Sequence, residues 1–489
     1  MGTQKHRNCL LLVLVVFSLV VSRAEGQESS TMYFMQGVPQ SYQLNPATQP
    51  RCNSFLGFPG LSPLQVFVEN SAFSLKDIIF PLDDSLVTFL HPEADKNDFL
   101  DNLAPVNTFQ VFFGINLLSS GSRIGNQYYT FDVSEKIFAR FSYNDDLLDF
   151  LLNGNQRGDR FTFSNTNVDV TAYSEIATGN ARIINERLRI GARVKLLFGQ
   201  VNLSTDNKEI SLATDEDWTI NTDMKIRLSA PLLDLPVYID VWGNEAISLD
   251  SFPEDPFEFI ENLDPADMMR SLYGNMGLGL DLGIHYALTD KITLSGSLID
   301  LAGIRWSRNT YTFSQKASYV YSGIEINPGD TTGTTENFFD GLKTVFAFET
   351  DTDPYYTMLP LKLYVGGTYQ VIDQISFGIL SRTEYYKKKL REQLTLSANL
   401  SPLRFLNFSF SYTLFNNTYN NFGFGFSSRL GPFSLYLISD NIPTGYAVEQ
   451  SSGMVLPYDS RVLNLRIGLN LVFGCNKEKK KMADLPLVY

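Results

Sequence analysis

The chain has 489 residues, 44% of them hydrophobic, and a formal charge of −14 from 39 Lys and Arg against 53 Asp and Glu. That apolar share excludes wholesale disorder, and an acidic total without a long basic run excludes a nucleic-acid binder, because phosphate neutralisation needs clustered cations. Aromatic residues make up 13%, chiefly Phe and Tyr, an excess that any architecture has to place.

At the start of the chain, Lys5, His6 and Arg7 precede an apolar run from Cys9 to Val21, and small residues follow at Ala24 and Gly26. A positive start, an apolar stretch too short to span a bilayer and a small-residue site predict an export signal over residues 1–26. Cleavage is expected after Gly26, and removing Lys5, Arg7, Arg23 and Glu25 leaves the remainder still more acidic. No later apolar stretch has helix-spanning length, so the remainder is either soluble or crosses a membrane as strands.

Past residues 71–107, which read as loop with short helices, Phe109, Val111, Phe113, Ile115 and Leu117 alternate with other residues, the period of a strand with one apolar face. Asp145 to Leu152 reads as a short amphipathic helix in a loop, and 231–276 as a second long loop. Strict alternation returns at Leu278 to Tyr286, Leu361 to Tyr369, Leu394 to Leu400, Phe408 to Tyr412, Phe422 to Phe426 and Leu463 to Phe473. The chain is therefore all-β and antiparallel.

Two features favour lipid over water on the apolar face. The opposite parity is mostly Gly, Ser, Thr and Asn with scattered charges, which suits a lumen, and the strands run near the length a tilted transmembrane strand needs. Aromatics near strand ends, at Tyr286, Trp306, Tyr385, Tyr412 and Phe473, would form an interfacial girdle. Short links (289–291, 372–374, 401–404, 430–432) alternate with longer or more polar ones (307–359, 384–392, 416–421, 441–460), with a strand near Tyr311 to Tyr321 assigned to the 307–359 loop. The expectation is a closed transmembrane β-barrel over 61–475 of about fourteen strands, with sixteen as the alternative, and a periplasmic tail over 476–489 containing the basic run Lys477 to Lys481.

Candidate chemistry is sparse. Beyond the export segment the histidines are His91, in a His-Pro-Glu loop, and His285, on the lumen-facing parity and read as one polar lumen residue among many. Two distant histidines and two cysteines supply neither a metal site nor a catalytic triad, so no cofactor, metal or catalytic residue is assigned. Cys52 precedes the first strand and Cys475 follows the last; closure of a barrel sets those strands side by side, so a seam-closing disulfide is expected.

Three stretches carry a family likeness: Ser41 to Ala47 with its Asn45-Pro46-Ala47, the strand Leu294 to Trp306 with Ile299-Asp300-Leu301, and a last strand followed directly by Gly474 and a basic tail. They resemble an uncharacterised outer-membrane barrel family of Bacteroidota, distantly similar to the long-chain fatty-acid channel and to the barrel partner of the type IX secretion system. The resemblance implies an N-terminal plug over 27–60, with Asn45, Pro46 and Ala47 as its motif. It also implies a non-enzymatic outer-membrane channel or transporter for small hydrophobic molecules, surrounded by outer-membrane lipid. The alternative is a surface barrel that binds exported proteins or secretion-system components.

Overall fold

In the computed structural model the described residues are 30–475, apart from 36, 83–84, 89–90, 92–95, 232–236, 240–244, 248–273, 323–347, 415–420, 444 and 449–454. The export segment, the basic tail and most of the 231–276 loop lie outside them. Strands β1 (Ser54–Gly57) and β2 (Leu64–Asn70) together make the first stave of a barrel. The next are β3 (Val106–Ile124), β4 (Gln127–Asn144), β5 (Asn167–Ile183) and β6 (Leu188–Thr214). After β7 (Trp218–Ser229) come β8 (Met276–Ala287) and β9 (Ile292–Trp306), then β10 (Thr310–Tyr321) and β11 (Tyr355–Met358). The last staves are β12 (Leu361–Ile372), β13 (Ile375–Tyr386), β14 (Lys389–Leu403), β15 (Leu406–Leu414), β16 (Phe422–Leu430), β17 (Phe433–Ser439) and β18 (Val462–Phe473).

Neighbouring staves pair antiparallel throughout, and β18 pairs on one side with β17 and on the other with both β1 and β2. The ring is closed with 14 staves. Strand β7 is not one of them. It pairs with the upper part of β6 and with β10, above the staves β8 and β9, so β6, β7 and β10 form a sheet that projects past the rim opposite the termini. The strand at Tyr311 to Tyr321 thus belongs to the long connection, as the parity of short and long links requires.

Burial is inverted relative to a water-soluble protein. Ser297, Asn399, Ser409, Thr413 and Asn470 point inward and are buried, while Leu278, Val365, Phe377, Ile379, Phe410 and Leu465 on the opposite parity are exposed. Apolar residues outside and amides and hydroxyls inside are what lipid demands, since a closed barrel satisfies every backbone donor and acceptor without water. The structure is a transmembrane β-barrel. Among the described residues no helix is long and apolar enough to cross a membrane. Short helices do occur in the connections: α1 (Leu75–Ile78), α2 (Lys96–Asp101) and α3 (Asp145–Asn153), the last packing Phe150 against Phe161 and Phe163.

Two local readings need correction. Trp306 is fully buried rather than part of a girdle, because the parity of β9 reverses at Asp300. Leu280 pairs with Leu301 and Leu282 with Leu298, so Asp281 faces two residues, Ile299 and Asp300. Asp300 takes a left-handed φ of 62°, the mark of a bulge, after which Ala302, Ile304 and Trp306 face inward. The second correction is at 384–392, which is a tight hairpin between β13 and β14 and no loop; Glu384 and Arg391 are strand residues buried in the lumen, and Lys387 and Lys388 form the turn. Tyr286, Tyr385 and Phe473 do stand outward near strand ends.

Candidate functional site

Of the described residues, those from 30 to 53 lie inside the barrel in its lower lumen, and the first strand begins at Ser54. The backbone of this segment makes two short 3-10 turns, Thr31–Phe34 and Pro39–Gln43, the second started by Pro39 at the first helical position. A chain lying in a lumen cannot use water for all its polar groups, so it has to be paired by the wall. The Thr31 amide donates to Asp440 at 2.6 Å, Gln40 to Asn470 at 2.5 Å and Tyr42 to Asp132 at 2.6 Å. Ser297 donates to the Leu44 carbonyl at 2.6 Å, and Arg123 holds Gln49 and the Pro50 carbonyl at 2.5 and 2.9 Å. These partners lie on staves all round the ring, which pins the segment from every side.

Asn45, Pro46 and Ala47 sit at the centre of this arrangement. The Asn45 side-chain oxygen accepts the Ala47 amide at 3.0 Å, closing a turn on itself, while its side-chain nitrogen donates to the Tyr33 hydroxyl at 2.9 Å and reaches the Ile284 and Gly296 carbonyls. Beneath the turn, Gly191 of β6 and Gly283 of β8 are direct register partners. A Cβ on Gly191 would stand 2.1 Å from the Pro46 carbonyl oxygen, and one on Gly283 2.2 Å from the Asn45 side chain and 2.7 Å from the Ala47 nitrogen. The paired glycines make a hollow in the wall that only this close backbone approach needs. His285, two residues along, has its Nε2 3.0 Å from the Thr48 hydroxyl and so contacts the same segment. Cys52 and Cys475 are joined at the base, with Cα atoms 4.2 Å apart, tying the end of the inserted segment to the end of β18. His91 lies in an outer connection, and the described residues include no cluster of metal-ligating side chains.

Above the inserted segment the wall carries a layer of charge that parity reading leaves unassembled. Arg193 bridges Asp132 and Asp281 at 2.9 Å each, and Lys195 bridges Asp281 at 2.8 Å and Asp300 at 2.6 Å. Lys136 pairs with Glu175 at 2.7 Å, and Lys362 lies 3.4 Å from Asp300. The bulge is what brings Asp300 in, and the Asp300 amide donates to Asp281 at 2.8 Å. The signal was present in the sequence: charges standing on a lumen parity otherwise made of small polar residues cost several kcal/mol each unless they find one another. This layer borders a cavity partly open to solvent, with Leu44 of the inserted segment below and Glu384 above. Its lining is two-sided, charged at Lys136, Lys195 and Asp300 and apolar at Ile299, Leu359 and Tyr364.

Residues 46–440 match a family described as a family of unknown function, DUF5723. The chain belongs to this family. The matched stretch begins within the Asn-Pro-Ala turn and ends at Asp440, the partner of the Thr31 amide. A search of curated protein sequences finds no match. Among solved structures, the chain is similar to the P. putida toluene transporter TodX, at 8% identity and a TM-score of 0.33, with 91% of this chain and 95% of that chain covered. It is also similar to a Pseudomonas aeruginosa FadL homologue, at 11% identity and a TM-score of 0.37, with 93% and 100% covered. The KdgM porin shows a TM-score of 0.23 at 8% identity, with 62% and 93% covered. Scores this low add nothing to the strand pairings, which close the barrel by themselves.

Proposed function

We propose that this family member is an outer-membrane channel for small molecules, exported by loss of residues 1–26 and held shut by residues 30–53 acting as a plug. The observation that carries the reading is the inserted segment itself: it occupies the lumen, is paired to the wall on all sides, and lies under a cavity lined by both charged and apolar side chains. A structural core would need no such cavity. The cargo favoured is a small hydrophobic or amphipathic molecule, because an apolar cluster of Met32, Phe34, Leu44, Ile299, Tyr364 and Leu380 adjoins the cavity from inside the barrel. The role is non-enzymatic transport, with His285 serving as a contact to the plug. Uptake of radiolabelled fatty acid and of toluene by a deletion strain, with and without the gene restored, tests it: restored uptake supports the channel, and uptake that never depends on the gene removes it.

A second reading has one observation in its favour. The sheet of β6, β7 and β10 stands beyond the rim and exposes Trp218 and Val320, a surface suited to holding an exported protein. Co-purification of a secretion component with the tagged chain, together with unchanged uptake, would favour that role.

A further inference from the structure

The mouth of the barrel at the rim opposite the termini is crossed by the β13–β14 hairpin. In a ring of 14 staves these two stand on the far side from β3, β4, β5 and β6, so any direct contact between the groups has to cross the lumen. Several do. Arg140 of β4 donates to Glu384 of β13 at 2.7 Å, with both side chains buried. Arg391 of β14 reaches Thr108 and Gln110 of β3, each at 3.2 Å. The Phe138 and Tyr386 rings meet edge to face at 5.9 Å, and the Arg140 guanidinium lies 5.0 and 4.9 Å from their centres. At the tip, the Lys387 ammonium donates to the Asp169 carboxylate of β5, and to the Ser204 hydroxyl and Thr205 carbonyl of β6 at 3.1 and 2.7 Å.

The turn that delivers Lys387 is conformationally unfavourable for its own sequence. Lys387 and Lys388 both have left-handed backbone, with φ of 46° and 64°, where a two-residue turn of this kind ordinarily carries Asn-Gly. Lysine gains nothing from that conformation locally, so the contacts across the lumen are what hold it. The cavity beneath is bordered by the same residues, Gln110, Phe138 and Glu384, while Gln43 and Leu44 of the plug border it below.

We propose that the β13–β14 hairpin is an outer gate, latched by Lys387 on Asp169 and by Arg140 on Glu384, so that access to the chamber is restricted at both ends by separate devices. Resting on the channel reading, this adds a second barrier on the cargo's path: the tip leaves the opposite wall to admit cargo, and the plug responds afterwards. The latch is electrostatic at its exposed tip and desolvated at Arg140, so it loosens when one partner is removed.

The test reads access to the chamber and does not depend on transport. Ser134 borders the cavity and is buried, so Ser134→Cys places a thiol there, to be labelled on intact cells by a small sulfonated reagent that does not cross lipid. With the latch intact, labelling is slow; adding Glu384→Gln, or Lys387→Asn with Lys388→Gly, raises its rate by about tenfold or more. The second variant supplies the favoured turn residues while removing the latch lysine, so it keeps the hairpin folded should Glu384→Gln fail to reach the heat-modifiable, folded form. Labelling that is fast with the latch intact, or slow and unchanged in both latch variants, overturns the gate whatever uptake assays show. Latch-dependent labelling in a strain whose uptake never depends on the gene keeps the gate and discards the channel.

Discussion

Arg193 is the residue on which the charge layer turns. It is enclosed between Asp132 and Asp281, each 2.9 Å away, and Asp132 is also the acceptor for Tyr42 of the inserted segment. Removing one member of a buried ionic group leaves the others desolvated and unpaired, which costs about 3–5 kcal/mol. Arg193→Ala is therefore expected to lower the unfolding free energy of the refolded barrel, read from its urea midpoint, by an amount in that range, whereas Arg157→Ala, whose pair with Glu216 is exposed, leaves it within about 0.5 kcal/mol. Equal midpoints for the two variants would mean that the lumen layer is hydrated and weak. A different residue tests the seat of the inserted segment. Gly283→Val forces a side chain into the space of Asn45 and Ala47, and if residues 30–53 close the pore, the reconstituted variant conducts more than the parent chain does. Asn45 was legible because it sits in a recognisable Asn-Pro-Ala turn. The two glycines were not, since Gly191 and Gly283 become partners only through pairing of strands 92 residues apart in the chain, and nothing local marks that register.

Strand parity was readable wherever the pleat runs unbroken, as in β8, β16 and β18, because alternation is a backbone property that the sequence repeats two residues at a time. It failed in β9, where one extra residue at Asp300 turns every later side chain to the opposite face and carries Trp306 inward. It also fails at 384–392, whose charges make the stretch read as a polar link although a lumen accepts charge that is paired across it. The nine staves from β8 onward agree with the links read from Leu278 on, while the first half, readable as five or seven strands, holds five. The cysteines belong to this scale as well, since they join the segment before β1 to the end of β18 across a separation of 423 residues. Native protein is expected to leave Cys52 and Cys475 unmodified by an alkylating reagent until reductant is added, as read by mass; two cysteines alkylated without reductant would show that the seam is not bridged. Cross-linking so long a loop stabilises by about 2–5 kcal/mol when geometry is relaxed, so Cys52→Ser is expected to sharpen proteolysis of the N-terminal segment while the barrel persists.

For the molecule as a whole the decisive matter is which surface meets lipid and which meets water, and two exposed aliphatic residues on strands distinguish the two. Ile379 lies midway along β13 on the outer face and is 45% exposed; Val320 lies on β10, in the sheet beyond the rim, and is 53% exposed. Accessibility alone treats them alike, and a water-soluble β-protein would tolerate arginine at both, since surface substitutions away from special features stay within about 0.5 kcal/mol. If a bilayer surrounds the staves, Ile379→Arg has to place a guanidinium near the midplane at a cost of about 2–4 kcal/mol, whereas Val320→Arg meets only water and costs next to nothing. Urea refolding into lipid vesicles, followed by the shift in gel mobility between heated and unheated protein, measures both variants under one condition. A large loss at 379 with none at 320 fixes the height of the lipid belt on the barrel and confirms that the projecting sheet stands clear of it. Equal, small losses at both positions would mean that water bathes the outer face, and the inward turn of so many amides, hydroxyls and charges would then have no physical cause.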